Sequence, residues 1–250
     1  FVLRDEQVFV FAGSFERMPE VLAKIAGDRG ADAILLDLGL NSLQLEDASR
    51  GFAFSREGPL DARFDPEEGL PTMAELINTA SEAQLALWLR EYGDERLARP
   101  IARRIVKARA KKPIETTTEL ADLVESVYPK GKQRIHAATR SFQAFRIATN
   151  RELEAVEQGV QNCMECLAPN GRMAVLTFHS GEDKIVKRLF REASAPRPTP
   201  SSPYSATTME GVEFRPVTRG AVKCSKVEAA MNPRSRSAKL RVIRRKGAEE

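Results

Sequence analysis

The sequence has few cysteines and no long apolar run, and each shortage excludes a class of protein. Three cysteines in 250 residues are too few and too unevenly spaced for a disulfide framework, which indicates a reducing compartment. No stretch approaches the roughly 18 consecutive apolar residues of a membrane helix, and no charged-then-apolar signal sequence opens the chain. We therefore expect a cytoplasmic protein that does not enter a membrane. A mitochondrial or plastid location would require a transit peptide ahead of Phe1.

The cysteines give little sign of a metal centre. Cys163 and Cys166 form a lone C-x-x-C pair, whereas a zinc site needs a second pair of ligands, and none is near in the sequence. A redox or metal role stays open for this pair, but helix packing explains it more simply. We predict no metal site.

The net charge of +4 is small, but the basic residues are concentrated in two blocks. Eight Lys or Arg and no acidic residue lie between positions 96 and 112, and eleven against three Glu lie from position 215 onward. Such a block is usually a solvated face, yet two blocks of one sign on one chain favour a polyanionic partner. Nucleic acid is the obvious candidate.

The order of predicted elements indicates an α/β fold. Residues 7–13 are typical of a strand that ends on a glycine turn, a helix follows to about Ala26, and residues 32–39 form a second strand. Strand, helix and strand with short connections predict a parallel sheet with a right-handed crossover. A content of 42% hydrophobic residues is ample for the core of one large domain or of one domain with an insertion.

Helical spacing of apolar residues then replaces the strand pattern. It marks segments 83–89, 101–108 and 120–127, and a capping box of Thr116 and Glu119 starts the last of them. We predict a helical insertion over 51–136 that serves RNA recognition. The surrounding domain then consists of residues 1–50 and 137–250.

The predicted sheet resumes after a long helical segment at 138–167, with a break expected near Thr149 and Asn150. Residues 172–178 predict a buried strand, and residues 180–192 predict an amphipathic helix with Ser180 as its cap. Residues 212–217 and 238–244 predict an antiparallel pair that closes the sheet at its edge.

Four ordered segments resemble a known family. They are LDLGLNSLQ at 36–44, RGFAF with GPLDAR at 50–63, FHSGEDKIVKR at 178–188 and NPRSRSAKLR at 232–241. Together they resemble the S-adenosylmethionine-dependent methyltransferases of the MraW type, which modify N4 of cytosine 1402 in 16S ribosomal RNA. TRSFQAFRI at 139–147 is similar to a further segment of that family, so the resemblance covers nearly the whole chain.

The resemblance implies a class I methyltransferase sheet, which is Rossmann-like, with an inserted helical domain. It implies S-adenosylmethionine as cofactor, with Phe15, Asp37 and Gln44 at the binding site. The family's glycine-rich cofactor loop and ribose-binding acidic residue correspond to sequence upstream of Phe1, so we expect a sheet that is truncated at its N-terminus. The implied partner is ribosomal RNA of the small subunit, and a homodimer is compatible with the pattern.

Asp37 ends an apolar strand and precedes a glycine turn, which is where open α/β sheets bind ligands. The N4 amine of cytosine is a poor nucleophile because its lone pair is delocalised into the ring. Asp37 or Asn41, as a hydrogen-bond acceptor, would localise that lone pair and receive the proton, and no covalent intermediate is needed. His179 follows another strand end and is the third candidate catalytic residue, expected to face the target base.

Structural roles compete with these assignments. Asp37 would also suit a turn or a helix cap, and Phe15 would suit the core as well as the adenine of a cofactor. His179 and Ser180 with nearby carboxylates suggest a hydrolase triad, but residues so close in sequence rarely arrange as nucleophile, base and orienter.

Six arginines are candidates for RNA contact. Arg63 would alternatively pair with Asp61 and shape its loop. Arg140 and Arg146 are six residues apart and share no helical stripe, so we expect one of them to be structural. Arg234 and Arg236, together with Lys239 and Arg241, would alternatively be the charges that protect an edge strand from aggregation. The six candidates are Arg63, Arg104, Arg140, Arg146, Arg234 and Arg236.

A second hypothesis is a non-catalytic ribosomal RNA-binding protein derived from such an enzyme. It would have lost the part of the cofactor cradle that the family carries upstream. Binding of S-adenosylmethionine by this chain separates the two hypotheses.

Overall fold

The computed structural model describes residues 8–129, 136–198, 209–210 and 212–247. The chain divides into two compact units, which we call the sheet unit, residues 1–39 and 153–250, and the helical unit, residues 40–152. The predicted insertion over 51–136 falls inside the helical unit, and as a domain boundary it stays a prediction.

The described part of the chain contains ten α-helices and seven strands. The helices are α1 (Met18–Ala26), α2 (Ser42–Glu46), α3 (Met73–Thr79), α4 (Glu82–Gly93), α5 (Ala98–Arg109), α6 (Thr117–Glu125), α7 (Ala138–Asn150), α8 (Glu152–Glu165), α9 (Ser180–Ala193) and α10 (Lys226–Met231). The strands are β1 (Ala31–Asp37), β2 (Leu167–Thr177), β3 (Arg197–Pro198), β4 (Met209–Glu210), β5 (Phe214–Pro216), β6 (Val222–Lys223) and β7 (Lys239–Arg245).

The sheet unit is built on a mixed sheet in the order β1-β2-β7-β5, and β6 also pairs with β7. β1 and β2 are parallel, and Asp37 lies opposite Leu176 where their register ends. β7 is antiparallel to β2 and to β5. The predicted closing pair of antiparallel strands is therefore confirmed, with β7 as an interior strand of the sheet. β3 and β4 form a separate two-stranded pair.

Strand alternation places the core of the sheet unit. Ile34 and Leu36 of β1 are buried, whereas Leu35 and Asp37 between and after them are exposed, because successive side chains of a strand point to opposite faces. Helix α8 contributes to the same core, and Cys163 is one of its buried residues. Burial raises the pKa of the Cys163 thiol to about 12, which keeps it neutral, and the residue serves packing as predicted.

The strand predicted over 7–13 is wrong for residues 8–13, which lie in no strand, and Gln7 lies outside the described residues. Phe9 and Val10 of this segment are exposed. The strand preference of valine and phenylalanine reflects packing against neighbouring strands rather than an intrinsic preference of the backbone. Among the described residues this segment has no paired neighbour, because β1 pairs with β2 alone.

The helical unit has its own core, to which α3, α4, α5, α6 and α7 contribute. The predicted helical segments 83–89 and 101–108 are confirmed as parts of α4 and α5, and the segment 120–127 is confirmed up to Glu125, where α6 ends. Thr116 caps α6 with Glu119 as its reciprocal partner. The predicted break is also confirmed, since α7 ends at Asn150 and Arg151 adopts a left-handed conformation. No described helix is long and apolar enough to cross a bilayer.

Candidate active site

Two of the predicted catalytic residues lie at one edge of the sheet unit. β1 and β2 are parallel neighbours, so their carboxyl ends meet at the same edge. Asp37 is the last residue of β1, and His179 follows the end of β2. Gly39 turns the chain at this edge with a φ of +99°, and a Cβ added there would come into van der Waals range of the Phe178 ring. Ligands of open α/β sheets bind at such an edge.

The Asp37 side chain is exposed at the end of its strand. Among the described residues it has no hydrogen-bond donor and no ion-pair partner, so its carboxylate oxygens are available to a ligand. The alternative role as a cap is not what the described structure shows, because the nearest helix, α2, is capped by Asn41. An unpartnered anion at the ligand-binding edge of a sheet is suited to donors such as amines and hydroxyls.

His179 is the N-cap of α9, which corrects the assignment of this role to Ser180. Its Nδ1 accepts the backbone N–H of Glu182 over 3.4 Å. Its Nε2 lies 3.2 Å from Oε1 of Glu182, in a geometry that makes no hydrogen bond within the described structure. An imidazole whose Nδ1 accepts carries its proton on Nε2 when neutral. His179 therefore fixes the turn after β2, and its side chain is only 10% exposed. That it faces the target base stays a prediction.

Glu182 completes this cap and was missed as a site residue from the sequence. Its Oε2 accepts the backbone N–H groups of Phe178 and His179 over 2.7 and 3.3 Å, although its side chain is almost fully buried. Burial raises the pKa of the carboxyl, but the adjacent His179 ring and the two N–H donors lower it more, so the net shift is downward. The signal was present as an H-x-x-E pattern with capping-box spacing.

Asp183 ties α9 to β7. Its carboxylate accepts from Nζ of Lys239 over 2.9 Å and from Nε of Arg241 over 2.8 Å. Burial raises the pKa of Asp183, but the hydrogen bonds from Arg241 and Lys239 lower it by more. The pKa of this carboxyl therefore lies below its usual value. Lys239 and Arg241, which belong to the basic block after position 215, therefore attach α9 to β7.

Asn41 and Gln44 lie in the helical unit and form a reciprocal cap on α2. Oδ1 of Asn41 accepts the N–H of Gln44 over 2.9 Å, and Oε1 of Gln44 accepts the N–H of Asn41 over 3.1 Å. Asn41 is exposed and Gln44 is half-buried, and neither amide NH2 group has an acceptor among the described residues. The pair can therefore donate hydrogen bonds to a ligand while it keeps the helix start in place.

Phe15 lies in the sheet unit, in a short turn of 3₁₀ helix ahead of α1. Its half-buried ring packs so closely on Gly159 of α8 that a Cβ at that position would overlap it. Only glycine allows this approach. The core role of Phe15 is thus visible, and the uncovered part of the ring is what a cofactor would contact.

The RNA candidates of the helical unit fall into two groups. Arg63 makes a two-pronged ion pair with Asp61, and Arg146 makes one with Glu152. Both guanidinium groups therefore stabilise the fold. This agrees with the alternative prediction that Arg63 pairs with Asp61, and with the prediction that one of Arg140 and Arg146 is structural.

The remaining candidates are more accessible. Arg140 donates to the Asp94 carbonyl over 3.4 Å, and Arg104 is exposed and donates to Oγ of Ser126. In the sheet unit, Arg234 and Arg236 are exposed in the turn Pro233–Ser237.

Asn150 fixes the loop that carries Arg63, another role missed from the sequence. Its Oδ1 accepts the N–H of Phe64 over 2.6 Å, and its Nδ2 donates to the Ala62 carbonyl over 2.8 Å. Ala62 has a φ of +57°, which a residue other than glycine adopts only when its surroundings enforce it. A loop held this firmly presents its backbone in one conformation.

Comparison with known proteins agrees with this geometry. Residues 2–246 match the MraW methylase family. The chain belongs to this family. It is 46% identical over 249 residues to the ribosomal RNA small subunit methyltransferase H of Stenotrophomonas maltophilia (strain K279a), covering 98% of this chain and 74% of that protein.

Two further relatives bear the same name. The protein of Acidithiobacillus ferrooxidans (strain ATCC 53993 / BNL-5-31) is 46% identical over 242 residues, covering 97% of this chain and 74% of the relative. The protein of Geobacter sp. (strain M21) is 44% identical over 239 residues, covering 95% and 76% respectively.

The MraW methylase family has the class I fold of methyltransferases that use S-adenosylmethionine, so the predicted fold class and cofactor are confirmed. The described residues fit part of this cofactor. Its sulfonium and amino groups are cationic, and the Asp37 carboxylate is an anion without a partner in the described structure, at the edge where ligands bind. The half-buried ring of Phe15 would offer an apolar surface to an adenine.

Proposed function

We propose that this chain methylates N4 of a cytidine in small-subunit ribosomal RNA, at the position that corresponds to cytosine 1402. Relatives that are 44–46% identical are named small-subunit ribosomal RNA methyltransferases, which supports the RNA substrate. The observation that carries the proposal is the exposed carboxylate of Asp37, which has no partner in the described part of the chain, at the edge it shares with the capped turn of His179.

The chemistry needs an acceptor beside the target amine. When bound, S-adenosylmethionine supplies an electrophilic methyl group. Asp37 accepts a hydrogen bond from N4, which localises the nitrogen lone pair, and takes the proton as the amine becomes positively charged. Positioned acid–base groups of this kind contribute about 10²- to 10⁴-fold to a rate. No covalent bond to the chain is required.

The other candidates take supporting roles that match their contacts. Asn41 and Gln44 use their side-chain oxygens in the cap, so each is left with an amide NH2 group as a donor, which we assign to catalysis for Asn41 and to cofactor binding for Gln44. His179 orients the turn after β2 through its cap of α9. Phe15 offers its ring to the cofactor.

The RNA contacts divide in the same way. Arg104, Arg140, Arg234 and Arg236 supply cations to phosphates, because backbone contacts from Arg and Lys position a protein on nucleic acid. Arg63 and Arg146 act through the fold, since their ion pairs hold the loop and helix end on which they lie. A homodimer and a cytoplasmic location stay predictions.

The test is transfer of labelled methyl groups to small ribosomal subunits that lack the modification, followed by nucleoside analysis. We expect N4-methylcytidine with the wild-type chain and about 100-fold slower transfer with Asp37→Ala. Asp32→Ala is the matched control, because Asp32 is an exposed aspartate of the same strand with an exposed ion pair to Arg29. Equal rates in the two variants would remove Asp37 from the site.

The non-catalytic alternative makes a different prediction for the same chain. Titration calorimetry with S-adenosylmethionine should show binding that Asp37→Ala weakens and Asp32→Ala does not. A wild-type chain that binds small subunits but neither binds the cofactor nor transfers methyl groups would establish the alternative.

A further inference from the structure

A cavity of about 500 Å³ opens on the helical unit between α4 and the start of α5. Its floor is apolar and comes from Ala83, Ala86, Ala98 and Pro100. Leu87 also lines it and remains 42% exposed, whereas Leu85 and Leu89 of the same helix are fully buried in the core of this unit. An open apolar cavity of this size is large enough for a flat organic group.

Arginines surround this floor. Arg90, Arg96 and Arg99 line the cavity and are exposed. Arg90 is paired with its neighbour Glu91, but Arg96 and Arg99 have no ion pair or hydrogen bond from their side chains among the described residues. Two unpaired guanidinium groups beside an apolar floor can contact an anion and stack on a planar ring at the same time.

One carboxylate also lines the cavity, and it is already engaged. Glu95 is buried, its Oε1 accepts the N–H of Leu97 over 2.9 Å, and its Oε2 accepts the hydroxyl of Tyr128 over 2.6 Å. The first turn of α5 contains no acidic residue, so the positive end of its helix dipole adds to the cationic rim.

The cationic rim continues along α5. Arg99, Arg103 and Lys107 are exposed and follow one another at intervals of four residues, which places them on one face about 6 Å apart along the helix axis. Of the three, Arg103 alone has an ion-pair partner among the residues that the structure describes, Glu82 at 3.7 Å, and both side chains are solvated. We call the cavity and this row the α5 surface.

We propose that the α5 surface binds single-stranded RNA, with an unstacked base in the cavity and the adjoining phosphates along Arg96, Arg99, Arg103 and Lys107. Sequence-specific recognition of RNA uses splayed bases that stack on aromatic rings or on guanidinium planes, and this cavity offers the second kind. A duplex has no free base to insert, so charge complementarity together with the apolar floor favours a single strand. The proposal rests on the proposed action on ribosomal RNA and assigns the helical unit a share of substrate binding.

The charged part of the surface is tested with Arg96→Ala/Arg99→Ala in the full chain. Fluorescence anisotropy with a labelled single-stranded oligoribonucleotide of mixed sequence measures affinity across a series of salt concentrations. Each phosphate contact to a single strand contributes about 0.7 to the slope of log affinity against log salt, so we expect the slope to fall by about 1.4. The matched control is Arg17→Ala/Arg29→Ala, which removes two exposed arginines of the sheet unit.

The cavity is tested separately by filling it. Ala83→Trp places a large side chain on the floor at an exposed position, and Ala23→Trp does so on the exposed face of α1. We expect Ala83→Trp to weaken single-strand binding about tenfold, the effect of losing one stacked base, and to leave binding of a hairpin duplex unchanged. Ala23→Trp should change neither.

Several outcomes would overturn the inference. They are a wild-type affinity and slope in Arg96→Ala/Arg99→Ala, an unchanged affinity in Ala83→Trp, or competition by polyglutamate as strong as by RNA, which would indicate an acidic protein partner. Methyl transfer to small subunits, measured in parallel, reports on the proposed function independently. If the wild-type chain methylates small subunits but one of these outcomes is found, the role of the α5 surface is refuted and the proposed function is not. If the variants bind RNA as expected but the wild-type chain transfers no methyl group, the proposed function is refuted and the role of the α5 surface is not.

Discussion

The ion pair of Arg146 and Glu152 allows a quantitative test of the helical unit. Nε and one terminal nitrogen of Arg146 donate to the two carboxylate oxygens of Glu152 over 2.7 and 2.9 Å, and the side chains are only 14% and 6% exposed. Arg146→Ala leaves the Glu152 carboxylate buried without its partner. We therefore expect the variant to lose about 3–5 kcal/mol of unfolding free energy, the usual cost of orphaning a buried charge.

A loss of that size is measurable because folded domains are stable by only about 5–15 kcal/mol. Trp88 is the single tryptophan of the chain and lies in α4, so its fluorescence reports on the helical unit during urea unfolding. Arg146→Ala/Glu152→Ala completes a double-mutant cycle. We expect the double variant to be more stable than the sum of the single effects implies, because no charge remains buried and unpaired.

The matched control is the exposed pair of Arg17 and Glu20, whose side chains are 61% and 59% exposed at 2.9 Å. Exposed pairs contribute at most about 1 kcal/mol, because water and salt screen them. If Arg146→Ala costs no more than Arg17→Ala, then Arg146 is not structural, and it returns to the set of RNA contacts.

Three further predictions concern packing and titration. Gly159→Ala should destabilise the chain by about 1–3 kcal/mol in urea unfolding, because the added methyl overlaps the Phe15 ring, and Phe15→Ala should relieve that cost. Tyr128→Phe should cost about 1–3 kcal/mol by Trp88 fluorescence, since the buried carboxylate of Glu95 loses a donor. Asp183 has a lowered pKa, so its stabilisation is present above its unfolded value of about 3.9 and is lost as pH falls through the folded value. Asp183→Asn should accordingly lower the thermal midpoint at pH 7, and the gap to wild type should shrink below about pH 4; a constant gap would contradict this.

The sheet and its ligand edge could be predicted because their signals are local. The apolar run of β1, the carboxylate at its end and the glycine turn are readable from residues 31–39 alone. The strand expected over 7–13 failed because it depends on a neighbour that the pattern of its own residues cannot reveal. Strand propensity shows only that a segment is compatible with a strand, and whether it forms one depends on pairing with a neighbouring strand.

The helix caps show a second limit. Ser180 with Asp183 and His179 with Glu182 fit the same spacing, shifted by one residue, and only the buried contact of Glu182 with two backbone N–H groups decides between them. The arginines show a third limit. Arg146 finds Glu152 across a helix end, a pairing that depends on the turn at Arg151 rather than on helical spacing.

The position of β7 has a consequence for synthesis. Among the described strands it is the last in sequence, yet it lies between β2 and β5 inside the sheet. The whole helical unit is translated between β1 and β2, and it can become compact before these two strands pair and while β2 still lacks β7 on its other side. Long-range strand pairing of this kind is slow, because the chain loses the entropy of closing a large loop before any stabilising contact forms. A nascent chain therefore emerges with finished helices and an open sheet, whose apolar strands need shielding until residue 245 has left the ribosome.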